Sequence, residues 1–345
     1  MTRLLQVGMG RWGLDWATRV LPQVPGTSLA GCVDARPAAR AEVARRGLAG
    51  AADCFASLEE ALDNLEVSTV LVTTDLPSHI PLVLASLRAD KHVLVEKPFA
   101  PSVAAAEEAV TLAQQRGLTL AVSQNYRYYP AVRAAQQFVR EARLGRLLHI
   151  DLDFRKYSAP VAGAPVGHRA WDQPLLLDMA IHHFDLLRAV TGTEPTSVSC
   201  ATWNPPWAGF REAPEGYAVI EFDGGVTVNY RGSWVHPGPP TLWAGEWRMV
   251  FEDGELWWES RADMDSALED KATLYDRKDG PHEVALPRLR YVDRAGALDA
   301  FITSLTAGPA PETAGRDNLK SLALAHAAVT SSRLGGLVHL HSAPS

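Results

Sequence analysis

The sequence predicts two domains: a doubly wound, parallel α/β domain over residues 1–122, then an α+β domain over residues 123–345. Three observations carry this. Short apolar runs alternate with helical patterns through the first third, the mark of βαβ units around a parallel sheet. A glycine-rich turn, Gly8-Met9-Gly10-Arg11-Trp12-Gly13, stands between the first such run and the first helical pattern. Beyond residue 196, apolar runs punctuated by Asp223-Gly224-Gly225 and Asp253-Gly254 read as consecutive antiparallel strands.

Taken in order, Arg3 to Val7 forms the first strand and Arg11 to Leu21 a helix. Ser28 to Val33 is a strand. Pro37 to Arg46 is a helix with its proline in the first turn, where no N–H is needed. Ser68 to Val72 and His92 to Val95 are strands, separated by a helix over Ile80 to Arg88. Val103 to Arg116 is helical, Gly117 stops it, and Thr119 to Val122 is the next strand. The second domain begins with a helix from Pro130 to Arg143 and an alternating strand from Arg146 to Arg155. Leu175 to Val190 is a long apolar helix that carries polar residues. Strands fill Thr196 to Glu259, and helices over Asp299 to Leu305 and Asn318 to Ser332 close the chain.

Composition narrows the function classes. Of 345 residues, 47% are hydrophobic and 21% charged, ample for packed cores, so a disordered chain is excluded. The net charge is −7 with no basic stripe, which speaks against nucleic-acid binding. No apolar run reaches the roughly 18 residues of a membrane helix, and Leu4 to Val7 is too short for a signal peptide. Cys32, Cys54 and Cys200 are odd in number and scattered, so neither a disulfide framework nor a cysteine zinc site is expected. A cytoplasmic location fits.

The chemistry-bearing motifs follow. In G-x-G-x-x-G, Gly8 permits the tight turn, Gly10 lets backbone approach a pyrophosphate, and Gly13 lets the helix pack on the strand. The start of the helix, at Arg11 and Trp12, offers N–H groups to phosphate oxygens. Asp34 lies 21 positions after Gly13 at the end of the second strand, where an acid bonds the adenosine ribose hydroxyls. Arg36 is close enough to accommodate a 2′-phosphate. NAD is therefore the expected cofactor, with NADP admitted. The alternative for the motif is a glycine-rich turn without a ligand.

Glu96-Lys97-Pro98 stands at the carboxyl end of a strand, where ligands sit in open α/β sheets. The Lys97 ammonium there can polarise a substrate oxygen; an ordinary surface lysine is the alternative. In the apolar helix, Asp178 and His182 are four apart and share a face, and Asp185 follows three further on. A carboxylate beside an imidazole suits a general base for an alcohol proton. A buried structural histidine explains the same segment equally well. A metal site from His182, His183 and Asp185 is disfavoured, because adjacent residues on a helix splay by about 100°.

Together, Gly8-x-Gly10-x-x-Gly13, Glu96-Lys97-Pro98, Asn125-Tyr126-Arg127, Leu144-Gly145-Arg146 and Asp178-x-x-x-His182-x-x-Asp185 resemble the Gfo/Idh/MocA oxidoreductases in order and spacing. The resemblance runs to Gly315-Arg316-Asp317-Asn318 near the end of the chain. It implies a Rossmann domain followed by a domain on a large, open, mostly antiparallel sheet. It also implies NAD(P)-linked oxidation of a sugar or polyol hydroxyl. Carried over residue by residue, Lys97 looks like the catalytic lysine, His182 like the general base and Asp178 like the substrate-site carboxylate. Thr74-Asp75-Leu76 replaces the family's frequent Thr-Pro-Asn, with His79 downstream, and Thr74, His79, Glu96 and Lys97 are expected near the cofactor. Gln173-Pro174-Leu175-Leu176-Leu177 replaces a frequent glycine-rich run before Asp178.

Tyr126, Arg127 and Trp171 complete the expected substrate contacts, Arg127 either touching a substrate hydroxyl or carboxylate or pairing across the domain interface. Ten tryptophans are many, and most are expected in sheet packing; Trp171, Trp207 or Trp234 offers a face for a sugar ring. Specificity is expected in the loops Tyr157 to Asp172 and Trp203 to Glu212. An open sheet leaves a broad face that a second copy would cover, so a homodimer or homotetramer is expected. The alternative function is a non-catalytic dinucleotide-binding sensor, which has no need of Lys97 or His182. Reduction of a non-sugar ligand, or glycoside cleavage assisted by the cofactor, would reuse the same residues.

Overall fold

Every pair of neighbours in the first sheet is parallel, as the alternating pattern requires. The structure is a computed structural model and describes residues 2–158, 167–263, 269–277, 280–306 and 308–340. The chain divides into two units, one joining residues 1–125 to 290–322 and the other joining 126–289 to 323–345. The sequence carries no compositional mark of this return to the first unit.

The first unit contains β1 (Thr2–Val7), α1 (Arg11–Asp15), β2 (Thr27–Val33), α2 (Pro37–Arg45), β3 (Cys54–Phe55) and α3 (Leu58–Asn64). It continues with β4 (Thr69–Val72), α4 (Leu76–Arg88), β5 (His92–Val95), α5 (Val103–Gln115) and β6 (Leu120–Val122). The strand order is β3-β2-β1-β4-β5-β6, so the winding reverses between β1 and β4, where such sheets bind ligands. Leu4, Leu5, Val70, Leu71, Val93 and Leu94 are fully buried, as expected of a sheet covered on both faces. Three features depart from the sequence pattern. The first helix holds α-geometry only through Asp15 and continues as a π-helical turn, Trp16–Val20. Ser57 caps α3 by accepting from the Glu60 N–H. Its helix is short, and the periodicity does not reveal it. Cys32 and Cys54, far apart in sequence, are register partners on β2 and β3; both are free thiols, and burial together with Cys54 pushes the Cys32 thiol upward.

The second unit contains α6 (Pro130–Arg140), β7 (Leu147–Arg155), α7 (Ala180–Thr191), β8 (Pro195–Trp203), β9 (Glu215–Phe222), β10 (Thr227–Ser233) and β11 (Glu246–Phe251). Then come β12 (Gly254–Glu259), β13 (Lys271–Asp276) and β14 (Gly280–Glu283). The chain next forms α8 (Asp293–Ser304), which belongs to the first unit, α9 (Gly315–Leu334) and β15 (Val338–His339). Among the described residues the second sheet has nine strands in the order β14-β13-β12-β11-β7-β10-β9-β8-β15. All its pairs are antiparallel except β7 with β10, so the sheet is mixed. Gly224 and Gly225, at φ of +82° and +83°, make the turn from β9 to β10 that the sequence marks. β9 alternates strictly: Ala218, Ile220 and Phe222 are buried, whereas Tyr217, Val219 and Glu221 are exposed. The buried face packs on α6 and α7 through Val132, Phe138, Ile181, Phe184 and Leu187. No helix among the described residues is long and apolar enough to cross a membrane.

Candidate active site

The glycine turn after β1 is built so that side chains do not fit. Gly8 holds φ at +94°, and a Cβ there would lie 2.8 Å from the Thr74 nitrogen. A Cβ on Gly13 would lie 1.9 Å from the Gly8 carbonyl oxygen. Gly10 meets nothing closer than the Arg36 guanidinium at 3.6 Å, so its open side is free for a ligand. Beneath the turn, the buried Gln6 amide donates to the Gly13 carbonyl (2.8 Å) and to Thr73 Oγ1 (3.0 Å), and Thr73 donates to the Gly8 carbonyl (2.7 Å). The G-x-G-x-x-G pattern does not name these two braces. The signal for Gln6 is a lone amide inside Leu4-Leu5-Gln6-Val7.

Asp34 directly follows β2 and is almost fully buried. Its Oδ2 accepts from the Met9 N–H (2.9 Å) and Arg36 Nη2 (2.9 Å), and its Oδ1 from the Arg36 N–H (2.9 Å) and Nε (3.0 Å). Burial alone would raise this carboxyl; the bonds from Arg36 and Met9 outweigh it and hold it below the ordinary value. Arg40 sits alongside and donates to the Asp34 carbonyl (2.7 Å). Arg11 and Trp12 are exposed at the start of α1, with the Arg294 guanidinium 4.2 Å from the Trp12 ring centre.

Past β4, Thr74 Oγ1 is buried and has no hydrogen-bond partner among the described residues. His79 lies buried in α4 with Nδ1 2.8 Å from the Pro98 carbonyl and Nε2 3.2 Å from the Thr74 carbonyl. Burial lowers its pKa, and a neutral ring donates through one nitrogen only. Both its nitrogens face backbone carbonyls and the neutral ring donates to one of them, while its buried ring packs between the segments after β4 and β5. Glu96 is buried after β5; its Oε1 accepts from the Trp16 indole (2.7 Å) and its Oε2 from the Lys97 N–H (3.1 Å). Lys97 follows, half-buried. A cradle that a Cβ would fill, an ionised acid at the end of β2 and an unpartnered buried hydroxyl at Thr74 fit a nicotinamide dinucleotide.

In the second unit the apolar helix starts as a π-helical turn, Pro174–Met179, and becomes α-helical as α7. Asp178 thus belongs to the π-turn and His182 to α7, so the four-residue spacing crosses two helical geometries. The polar residues separate. His182 is buried and lies flat on Tyr126, ring centres 3.9 Å apart and planes 7° apart. His183 is fully buried, with Nδ1 3.2 Å from the Tyr230 hydroxyl and Nε2 3.0 Å from the Trp243 carbonyl. Asp185 takes both Arg127 Nε and Nη2 at 2.6 Å, a buried ion pair. This pair lies within the second unit and is not the pair across the domain interface that the sequence left open. Asp178 is half-buried and its charge reaches His168, whose pKa burial lowers. Trp234 is buried, its indole donating to the Pro174 carbonyl (3.2 Å), so it packs inside instead of offering a face. Trp171 and Trp207 are exposed. Of the expected specificity loops, residues 159–166 lie outside the described residues.

The family described as "Oxidoreductase family, NAD-binding Rossmann fold" (GFO_IDH_MocA) matches residues 2–124, and the "GFO/IDH/MocA C-terminal domain" matches residues 132–256. The chain belongs to the Gfo/Idh/MocA family. It is similar to inositol 2-dehydrogenase 1 of Paenarthrobacter aurescens (strain TC1), 31% identical over 238 residues, 66% of this chain and 67% of that one. An uncharacterized protein, y4oX of Sinorhizobium fredii (strain NBRC 101917 / NGR234), is 26% identical over 343 residues, 96% of this chain and 94% of its own. The crystal structure of aldose-aldose oxidoreductase from Caulobacter crescentus complexed with glycerol has the same fold, with a TM-score of 0.83 at 21% identity, covering 98% of this chain and 99% of that one. As a Gfo/Idh/MocA protein the chain is an NAD-binding oxidoreductase, and the cradle from Gly8 to Gly13 lies inside the matched Rossmann segment.

Proposed function

We propose that this enzyme oxidises a hydroxyl of a sugar, an inositol or a related polyol, with Lys97, His182 and Asp178 acting on the substrate. The observation that carries this reading is His182, a buried imidazole held face-on by Tyr126 in a chain that also has a dinucleotide cradle. The inositol dehydrogenase relative supports the substrate class. Gly8, Gly10, Arg11, Trp12 and Gly13 hold the pyrophosphate, Asp34 the adenosine ribose with Arg36 placed for a 2′-phosphate, and Thr74 and Glu96 the nicotinamide side. The bound NAD supplies the hydride acceptor.

The chain's own residues do the rest. Lys97 donates to the reacting hydroxyl oxygen and stabilises the negative charge that grows on it as the proton leaves. His182 takes that proton at a ring nitrogen; stacking on Tyr126 fixes the ring plane, so little reorganisation remains at the moment of transfer. Asp178 holds a second substrate hydroxyl and favours the cationic imidazole. Glu96, pinned by Trp16, holds the backbone from which Lys97 departs. Arg127 and Asp185 fix the start of the unit against α7. The enzyme works in the cytoplasm as a homodimer or homotetramer, consistent with its free thiols and the exposed apolar residues of its open sheet face.

The test is reduction of NAD and of NADP by purified protein over a panel of aldoses, inositols, uronic acids and anhydrosugars. The expected result is turnover that falls about 10²–10³-fold in Lys97→Met, the scale of losing one charge-stabilising donor, with NAD affinity unchanged within a few-fold. Full turnover in Lys97→Met removes the lysine from the chemistry.

A further inference from the structure

The strand ends on the adenosine side of the cradle carry two thiols. Cys32 on β2 and Cys54 on β3 are register partners in a parallel pair, so both side chains leave the sheet on one face. Neighbouring strands stand about 4.8 Å apart, inside the Cα spacing of about 4.4–6.8 Å that a disulfide spans. The two thiols are in contact, since Cys54 acts on the Cys32 proton through a side-chain hydrogen bond. Cys32 is fully buried. Cys54 is half-buried, and its thiol donates to the Gly50 carbonyl (3.3 Å), a bond open to solvent. The third thiol, Cys200, is buried on β8 in the other unit.

This pair is tied to the cradle. Cys32 packs in one apolar cluster with Met9, Ala17 and Val43, and Cys54 lies at the margin of that cluster. Met9 stands between Gly8 and Gly10, and its N–H holds Asp34 Oδ2 (2.9 Å). Asp34 is two residues past Cys32, and its own N–H donates to the carbonyl of Phe55, the residue after Cys54 (3.1 Å). Opposed side chains on neighbouring strands start about as far apart as the strands, whereas a disulfide holds its Cβ atoms about 3.8 Å apart. Closing the bond therefore draws the ends of β2 and β3 together by about 1 Å. Asp34 and Met9 move with them, and a binding site tolerates only about 0.5 Å of such displacement. A bond closed against that resistance is strained, and strained disulfides are the readily reduced, regulatory kind.

We propose that Cys32 and Cys54 are a redox modification site: a peroxide closes them into a reversible disulfide, and the closed form binds NAD weakly. Cys54, the more exposed thiol, reacts first. Its sulfur attacks one peroxide oxygen, the O–O bond breaks, and the products are Cys54 sulfenic acid and water. The Cys32 sulfur then attacks the Cys54 sulfur, the S–O bond breaks, and the hydroxyl leaves as water with the Cys32 proton. Two thiols give up two electrons, the peroxide becomes two waters, and a dithiol reverses the change. Burial raises the Cys32 thiol and Cys54 raises it further. Cys32 is thus inert toward oxidants in solution, and it reacts with a sulfur already beside it because contact replaces diffusion. By linkage, bound NAD opposes closure by the same factor by which closure weakens NAD. The site therefore responds to peroxide most readily when the cofactor is absent.

Calorimetric titration of the full chain with NADH tests this, before hydrogen peroxide, after it, and after dithiothreitol, with non-reducing peptide mass spectrometry to read the linkage. The peptides carrying Cys32 and Cys54 are expected to be joined with loss of two hydrogens. NADH affinity is expected to fall about tenfold, the scale of one hydrogen bond to a charged group, and to recover in dithiothreitol. Cys54→Ser is expected to bind NADH as the reduced wild type does, which shows that it folds, and to keep that affinity in peroxide. Cys200→Ser is expected to keep the whole response. An absent linkage, a linkage that leaves NADH affinity unchanged, or a response that persists in Cys54→Ser overturns the proposal. No sugar or polyol enters the experiment, so its outcome is independent of the substrate reading above.

Discussion

Arg36 occupies both carboxylate oxygens of Asp34, through Nε on Oδ1 at 3.0 Å and Nη2 on Oδ2 at 2.9 Å. With the Met9 and Arg36 backbone N–H groups, four donors fill an acceptor that has about four lone-pair sites. A ribose diol therefore binds Asp34 only after the guanidinium leaves. The Arg36 side chain is 65% exposed, so the pair stabilises by only about 0.5–1 kcal/mol. Arg36→Ala is expected to strengthen NAD binding about two- to fivefold. The same change removes the cation nearest a 2′-phosphate and is expected to weaken NADP about tenfold or more. Titration of tryptophan fluorescence with each dinucleotide reads both. Weaker NAD binding in the variant would show that Arg36 holds the cofactor instead of competing with it.

Gly13→Ala tests the cradle. The new Cβ would stand 1.9 Å from the Gly8 carbonyl oxygen, a backbone atom that Thr73 also holds. Strand and helix must separate, at a cost of about 1–3 kcal/mol for an overpacked contact. The expected outcome is an unfolding midpoint shifted down in urea and NAD affinity reduced more than tenfold. Unchanged dinucleotide affinity would contradict the role given to this glycine.

Arg127 and Asp185 predict a contrast with the sheet surface. Both are almost fully buried and bonded twice, so Asp185→Asn leaves a buried guanidinium without its counter-charge, at about 3–5 kcal/mol. Arg231, 63% exposed and paired with Asp153, is worth less than about 1 kcal/mol when mutated to Gln. Urea unfolding of the two variants side by side checks the ranking; equal losses would refute it.

The legible parts of this chain are those whose cause is local. Gly8, Gly10 and Gly13 are fixed by turn geometry, Gly117 by a helix end and Gly224-Gly225 by a hairpin, and each is visible in a few consecutive letters. The fold class follows from period and order, which are also local. What the letters hide is convergence. His182 and His183 are neighbours in sequence, yet one lies on Tyr126 and the other bonds Tyr230 and the Trp243 carbonyl. Nothing local distinguishes them. Cys32 and Cys54 meet only because β3 pairs beside β2, and no spacing encodes that. Asp185 reads as a neighbour of His182 on one helix, but a guanidinium 58 residues earlier claims it. The π-turn before α7 was hidden too, since an apolar run looks alike in either helical geometry.

The open face of the second sheet predicts self-association. Tyr217, Val219 and Trp257 are exposed on it, while Arg231 with Asp153 and Arg248 with Glu255 neutralise each other in the plane of the sheet. A face that is aromatic and charge-balanced suits a second copy of itself better than a polyanion. Val219→Arg adds an unpaired cation and is expected to move the light-scattering mass from oligomer toward monomer at micromolar concentration. A monomeric wild-type protein under those conditions would end the proposal.

His183 predicts the acid limb of stability. Burial holds its pKa down to about 4, against the Trp243 carbonyl that pulls it up, while in the unfolded chain it titrates near 6.5. Above pH 6.5 both states carry a neutral ring and the group adds no pH dependence. Below it the unfolded chain takes a proton that the native state refuses, so stability falls by about 1.4 kcal/mol per pH unit. The loss is complete near pH 4, at about 3 kcal/mol. His183→Gln keeps a donor for the Trp243 carbonyl but cannot titrate. Its urea midpoint is expected to be lower than wild type at pH 7.5 and to decline less steeply between pH 6.5 and 4.5. The other buried histidines, His79 and His326 among them, contribute equally to both proteins, so the difference between the two slopes isolates His183. Parallel slopes would mean that the ring takes up its proton inside the native fold.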